Sequence, residues 1–209
     1  MELKHILPSD IEKESFRIIQ EELDKMGKKI PEEIRPTVFR AIHTTADFDY
    51  ADTLTFSKNA VEIAKNAIQK GTHIVTDTNM ALSGINKKSL AKYGGEVHCF
   101  MADEEVMRIA KERGVTRAVV SMEKAAELNV PLIFAIGNAP TALVRLKELI
   151  DEGKIRPELI IGVPVGFVNV VEAKEMILES NVPYIVNRGR KGGSNVAAAI
   201  CNSIIYSIS

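Results

Sequence analysis

The feature that most constrains this chain is a repeated alternation of short apolar runs with longer helical segments. The apolar runs lie at 73–76, 96–100, 131–136, 159–161 and 183–186, and helical periodicity follows at 104–113, 139–152, 169–180 and 194–208. Short buried strands that alternate with helices indicate a parallel sheet covered on both faces. With right-handed crossovers, the pattern predicts an α/β fold: a three-layer α/β/α sandwich with a mainly parallel, doubly wound sheet.

The segment before this alternation predicts N-terminal helices. Ser9 and Glu12 form a capping-box pattern, and apolar residues at helical spacing follow as far as Leu23. Pro31 is predicted in the first turn of a second helix. A length of 209 residues suits one hydrophobic core, so we expect a single domain over residues 1–209.

Composition excludes several classes of function. Lys and Arg total 27 against 28 for Asp and Glu, which gives no reason to expect a nucleic-acid or membrane partner. The two cysteines, Cys99 and Cys201, do not form a disulfide framework, so we expect a cytoplasmic protein. His5, His73 and His98 are far apart in the sequence and show no metal-ligand spacing, so no metal site is predicted.

Polar residues and glycines follow the predicted strands, where open parallel sheets bind their ligands. Thr78 and Asn79 follow the strand at 73–76, and Asn138 follows the strand at 131–136. Asn138 either caps a helix or offers its amide to a ligand carboxylate. Phe167 ends the loop after the strand at 159–161, where it could lie against a flat ligand.

The segment after the last predicted strand favours an anion site. It contains three cations followed by two glycines and a serine, namely Arg188, Arg190, Lys191, Gly192, Gly193 and Ser194. Ser194 opens a helix, whose first N–H groups attract anions. The pattern matches neither the phosphate loop nor the dinucleotide fingerprint. The alternative is a solvated basic turn.

Two further residues are candidates by position. His43 follows Arg40 on the same predicted helix face and is surrounded by polar residues. Histidine can exchange a proton near neutral pH, although an isolated histidine is more often structural. A serine hydrolase is weakly supported because the chain has no GxSxG elbow. Arg117 is either a surface ion-pair residue or a cation that faces a polyanionic ligand.

Five strings in the chain resemble a known family. They are RAIHTTADFDYADTLTFS, TDTNMALSGI, AIGNAPTALVRL, GVPVGFVNVVEAKE and NRGRKGGSNVAAAICN, and they occur in the order found in the precorrin-8X methylmutase family of cobalamin biosynthesis. The resemblance covers essentially the whole chain. It implies an isomerase that shifts a methyl group from carbon 11 to carbon 12 of a tetrapyrrole, giving hydrogenobyrinate or cobyrinate.

The resemblance also implies roles for individual residues. His43 occupies the position of the family's acid–base histidine, with Arg40 matching beside it. Ser15 and Arg117 occupy positions that contact the substrate in the family. The family uses no external cofactor, and the strings after His43 are more similar to the branch that acts on cobalt-precorrin-8, in which cobalt arrives within the substrate. The alternatives are a non-catalytic tetrapyrrole carrier and, with less support, a serine hydrolase.

The expected assembly is a homodimer with active sites near the subunit interface, as the resemblance implies. The small residues Ala197, Ala198 and Ala199 predict a C-terminal helix suited to close packing. That helix would lie either at the interface or in the core of the chain itself.

Overall fold

The structure, a computed structural model, describes Leu7 and residues 10–208. Its strands are β1 (Leu54–Phe56), β2 (His73–Thr76), β3 (Val97–His98), β4 (Leu132–Ile136), β5 (Leu159–Gly162) and β6 (Tyr184–Asn187). Its helices are α1 (Ile11–Lys25), α2 (Arg35–Thr45), α3 (Tyr50–Thr53), α4 (Ala60–Gln69), α5 (Asn79–Gly84), α6 (Lys87–Ala91), α7 (Glu104–Arg113), α8 (Arg117–Ala126), α9 (Pro140–Asp151), α10 (Val170–Leu178) and α11 (Ser194–Tyr206). The predicted capping box at Ser9 lies outside the described residues.

The six strands form one sheet in the order β1-β6-β5-β4-β2-β3. All neighbouring strands are parallel except β1, which pairs antiparallel with β6. From β2 the chain moves to β3 at one edge and then returns to β4 on the other side of β2. This reversal of direction creates a crevice beyond the carboxyl ends of β2 and β4, where open α/β sheets bind ligands.

Residues alternate between the two faces of each strand, and each face is covered by helices. Ile133 and Ala135 of β4 belong to a core shared with α1, α2, α4 and α11, whereas Phe134 and Ile136 pack with α8, α9 and α10. The predicted three-layer α/β/α sandwich, with its mainly parallel sheet and N-terminal helices, is therefore confirmed. None of the helices in the described ranges is both long and apolar enough to cross a membrane.

One local expectation was wrong, and one open alternative is decided by the structure. Pro31 does not open a helix: its carbonyl accepts hydrogen bonds from the backbone N–H groups of Ile34 and Arg35 in a turn, and α2 begins at Arg35 with Pro36 in its first turn. The small-residue stripe on α11 is not exposed as an interface. Ala197 is fully buried, and α11 packs chiefly against α2 and α5. It is a core helix, and it says nothing about a dimer.

Candidate active site

A buried carboxylate joins the two strands at the reversal point. Asp77, directly after β2, is inaccessible to solvent, and its carboxylate accepts the backbone N–H groups of Gly137, Asn138 and Ala139 at 2.9, 2.8 and 2.6 Å. Burial raises the pKa of the Asp77 carboxyl above its usual value, while the three N–H donors act in the opposite direction. Asp77 thereby fixes the turn after β4, which carries Asn138.

The amino end of α11 packs into the same place. A Cβ atom on Gly137 would lie 2.6 Å from the Cα of Ser194, so only glycine permits this approach. The Thr78 hydroxyl donates to Ser194 Oγ at 2.8 Å and accepts the N–H of Ala81 at 3.1 Å, which caps α5. Thr78, Asn138 and Ser194 therefore meet beside the first turn of α11, whose N–H groups lack intrahelical partners.

A buried lysine shapes the loop that precedes α11. Lys174 of α10 is inaccessible to solvent, and its Nζ donates to the carbonyls of Gly189 and Lys191 at 2.8 and 2.9 Å. Burial lowers the pKa of this amine to about 8. Gly192 packs so tightly on the Val163 carbonyl that a side chain would clash with it. Lys174 and Val163 thus hold the backbone of this loop, residues 188–193, which we call the glycine loop.

The cations of this loop differ in their surroundings. Lys191 Nζ donates to Asp47 and Asp49, at 2.6 Å each, and Arg188 forms a two-pronged ion pair with Glu175. Ion pairing lowers the pKa of Asp47 below its usual value. The Arg190 guanidinium instead lies 5.6 Å from the centre of the Phe167 ring. That ring is 82% exposed and forms an apolar surface at the carboxyl edge of the sheet.

An open cavity of about 510 Å³ contains the candidate acid–base residue. His43 lies exposed at the end of α2, and its ring meets the ring of Phe16 edge-on at 5.7 Å. Met80 and Asn195 also line the cavity. Met80 follows Thr78 by two residues, and Asn195 follows Ser194. The cavity therefore adjoins the Thr78–Ser194 contact. We call it the His43 cavity.

Arg40 lies in the wall of the His43 cavity and is already paired. Its guanidinium donates two hydrogen bonds to the Glu12 carboxylate, both at 2.8 Å, and lies over the rings of Phe16 and Tyr206. This contact holds the pKa of Glu12 below its usual value. Ser15 does not line the cavity, and its hydroxyl donates to the carbonyl one turn earlier on α1.

A second cavity, of about 500 Å³, contains two other candidates. Asn138 and Arg117 both line it, together with Val168, and Arg117 Nη1 donates to the Met101 carbonyl at 3.2 Å. Asn79 is exposed at the start of α5 and lines neither this cavity nor the His43 cavity. A larger cavity, of about 700 Å³ near β1, contains none of the predicted site residues.

The structure thus brings several of the predicted residues to one edge of the sheet in two groups, and leaves Ser15 and Asn79 outside both cavities. His43 and Arg40 form the first, and Arg117 and Asn138 the second, with the Thr78–Ser194 contact beside the turn that carries Asn138. Sequence reasoning missed the supporting residues Asp77 and Lys174 and the cavity residues Glu12, Asn195 and Tyr206. Only Asp77 gave a signal, because it directly follows a buried strand.

Known proteins are similar to this chain over most of its length. The family model described as Precorrin-8X methylmutase matches residues 10–207. The cobalt-precorrin-8 methylmutase of Priestia megaterium is 44% identical over 95% of this chain and 88% of its own length. The cobalt-precorrin-8 methylmutase of Salmonella typhimurium is 44% identical over 95% of each chain.

A solved structure shows the same fold. The precorrin-8X methylmutase of Thermus thermophilus superposes with a TM-score of 0.85 at 41% identity, covering 94% of this chain and 96% of its own. The family-model match over residues 10–207 includes all the elements that form the carboxyl edge of the sheet. This chain belongs to the precorrin-8X methylmutase family, the methyl-shifting isomerases of cobalamin biosynthesis.

Proposed function

We propose that this chain moves a methyl group from carbon 11 to carbon 12 of a precorrin-8 macrocycle, with His43 as the proton donor and acceptor. The observation that carries the proposal is the position of His43, exposed in an open cavity beside the Thr78–Ser194 contact. In this position the imidazole can reach a ligand bound at the carboxyl edge of the sheet.

The methyl shift requires the transfer of a proton to the substrate and back. Protonation of a ring nitrogen localises the double bonds of the macrocycle, so the methyl group can migrate: its bond to carbon 11 breaks, its bond to carbon 12 forms, and the conjugated double bonds shift so that both carbons keep their normal valence. The proton then returns to His43. Substrate and product are isomers, and the shift consumes no oxidant, reductant or second substrate. We therefore propose that the reaction needs no separate cofactor.

The substrate carries acetate and propionate carboxylates around a broad apolar ring, and the carboxyl edge offers partners for both. Arg117 and Asn138 line one cavity, and the first turn of α11 supplies N–H groups near Ser194. Met80 and Phe167, 69% and 82% exposed, supply apolar surface. Arg188 and Lys191 would exchange their present carboxylate partners for those of the substrate.

The proposed role of Arg40 and Ser15 is narrower. Arg40 is only 16% exposed, and the Glu12 carboxylate already occupies its guanidinium. We propose that it shapes the wall behind His43 and meets a substrate carboxylate at its remaining surface. Ser15 lies beside Phe16, which contacts both Arg40 and His43. Its substrate contact requires α1 to approach the bound macrocycle.

The proposed substrate is cobalt-precorrin-8, because both relatives described above are named cobalt-precorrin-8 methylmutase. Cobalt belongs to the substrate in this proposal. Optical assays with cobalt-precorrin-8 and with metal-free precorrin-8X, at matched concentrations, decide the point. We expect a higher kcat/KM for the cobalt form, and a clear preference for the metal-free form would contradict it.

We also propose a cytoplasmic homodimer. The free cysteines Cys99 and Cys201 support the cytoplasmic location. The exposed apolar residues Val165, Phe167 and Val168, in the segment between β5 and α10, support the dimer. Sedimentation at micromolar concentration should give twice the chain mass. A monomer that retains full activity would exclude a functional dimer.

The experiment that tests the role of His43 compares wild type with His43→Ala. Acid–base groups typically contribute ~10²–10⁴-fold to rate, so we expect kcat to fall by that factor while product binding persists. Met107→Ala, on the exposed surface of α7 and outside both cavities, serves as a control with unchanged kcat. A variant with wild-type turnover would refute the role of His43, and binding without turnover by wild type would indicate a carrier.

A serine hydrolase is not supported by the geometry. The Ser15 hydroxyl donates to a backbone carbonyl of its own helix, and Ser194 Oγ accepts from Thr78. Neither of these two described serines is hydrogen-bonded to His43, so no nucleophile and base are paired at the cavity.

A further inference from the structure

Two histidines and a glutamate that are distant in the sequence meet at the edge of the sheet. β3 is the edge strand, and it pairs with β2 in the register Ile74 opposite Val97. The N–H of Ile74 donates to the Glu96 carbonyl at 2.8 Å, so the strand pairing extends to Glu96. Because side chains alternate along a strand, Glu96 and His98 lie on one face, and His73 lies beside them on β2.

The two imidazoles are already in contact. His73 Nδ1 and His98 Nε2 are 2.8 Å apart, and the two rings are within 17° of parallel with their centres 5.1 Å apart. The Phe100 ring also stacks with His98, with the ring centres 6.0 Å apart. Nitrogen and carboxylate oxygen atoms of His73, Glu96 and His98 all lie within 4.8 Å of one another. The rings are therefore held close together with ring nitrogens facing each other.

We propose that His73, Glu96 and His98 bind one divalent transition-metal ion of the zinc class. Imidazole nitrogen and carboxylate oxygen suit such ions, which bind at ~2.0–2.2 Å. Two nitrogen ligands of a tetrahedral ion lie about 3.3 Å apart, so the imidazoles separate by about half an ångström and the Glu96 carboxylate turns inward. Water from the solvent-exposed edge completes the coordination.

The site is separate from the active site. His73 is the first residue of β2, whereas Asp77 and the reversal point lie beyond its other end. At ~3.3 Å per residue, about 13 Å of strand separates His73 from Asp77, and about 7 Å separates Asp77 from Val75, the residue opposite His98. The ion would tie the two-residue edge strand β3 to β2 and so stabilise their pairing. It has no part in the methyl shift.

The proposed site differs from what the sequence alone predicts. The wide spacing of His73 and His98 predicted no metal site, because metal-ligand motifs are recognised by short spacing. Parallel neighbours in a sheet are separated by a crossover, so their contact leaves no such motif. Across the part of the chain that the structure describes, this is the one group of three such side chains close enough to share an ion.

The test uses the full chain, stripped of metal with a chelator and then titrated with Zn²⁺ by calorimetry, with Co²⁺ as a spectroscopic probe. We expect one ion per chain, visible Co²⁺ bands typical of nitrogen and oxygen ligands, and a higher Tm in the presence of Zn²⁺. Loss of a supporting residue around a metal typically weakens affinity 10–100-fold. His73→Gln, Glu96→Gln and His98→Gln should each weaken it by at least ~10-fold.

Controls separate this site from other ligands in the chain. Glu62→Gln, on the opposite layer of the fold, and His43→Gln, in the His43 cavity, should keep wild-type stoichiometry and affinity. Circular dichroism checks that each variant is folded. Absence of binding by wild type would overturn the proposal, as would unchanged affinity in all three ligand variants.

Discussion

Lys174→Met tests how the glycine loop before α11 is held. Lys174 is buried and donates to two loop carbonyls, and burial lowers its pKa from 10.5 to about 8. A lowered pKa in the folded state means that the unfolded chain binds the proton more tightly between these two values. The stability contribution of Lys174 is therefore complete above pH 10.5 and is lost as the pH falls to 8.

The magnitude follows from the size of the shift. Each pKa unit corresponds to about 1.36 kcal/mol, so a shift from 10.5 to about 8 amounts to about 3 kcal/mol. Methionine fills a similar volume and carries no charge. The unfolding free energy of wild type, relative to Lys174→Met, should therefore increase by about 3 kcal/mol between pH 8 and pH 10.5.

Urea denaturation of both proteins across that pH range measures this difference directly. Lys13→Met is the matched control, because the Lys13 side chain is 83% exposed and its removal should leave the pH dependence unchanged. A constant difference between wild type and Lys174→Met would refute the reasoning. In the methylmutase assay, loss of the donor to the Gly189 carbonyl should loosen the loop and raise KM more than it lowers kcat.

Two further predictions concern the turns at the carboxyl edge. Asp77→Asn places an amide N–H₂ against backbone N–H donors in a buried site, so we expect the unfolding free energy to fall by about 2–4 kcal/mol and Tm by roughly 5–15 °C. The exposed Asp52→Asn is the control and should lose less than ~1 kcal/mol. Thermal and urea unfolding measure both variants. Gly192→Ala forces the loop away from the Val163 carbonyl, so turnover should fall by at least 10-fold with the fold intact by circular dichroism, and normal turnover would contradict the tight contact.

The sequence predicted most of the sheet because its central strands are continuous apolar runs. The strand predicted at 73–76 is observed at His73–Thr76, and the strand predicted at 131–136 is observed at Leu132–Ile136. β1 was missed because Leu54–Phe56 has three residues and pairs antiparallel with β6, far along the chain. A strand this short is defined by its partner and not by its own pattern.

Site residues that directly follow a strand could be predicted from the sequence. Residues whose role depends on burial could not. Asn138 and Ser194 were identified from their positions after β4 and β6, and the structure brings both to the reversal point. Lys174 lies within a helix, and the sequence gives no sign that it points inward. The pairing of His73 with His98 depends on strand order, which local patterns do not contain.

At the carboxyl edge of the sheet the backbone of the turns is fixed, whereas the cationic side chains can change their partners. This combination suits a large anionic substrate. The backbone of the two turns is fixed by hydrogen bonds to the buried side chains of Asp77 and Lys174, and removing either leaves buried N–H or carbonyl groups without a partner. The side-chain cations are held differently. Lys191 and Arg188 are exposed and pair with partly exposed carboxylates, and such surface pairs contribute only about 0–1 kcal/mol. Substrate carboxylates can therefore displace Asp47 or Glu175 at little cost. We propose that a chain with a net charge of −1 binds a polyanion in this way, because its cations become available only where the fixed backbone has already positioned the macrocycle.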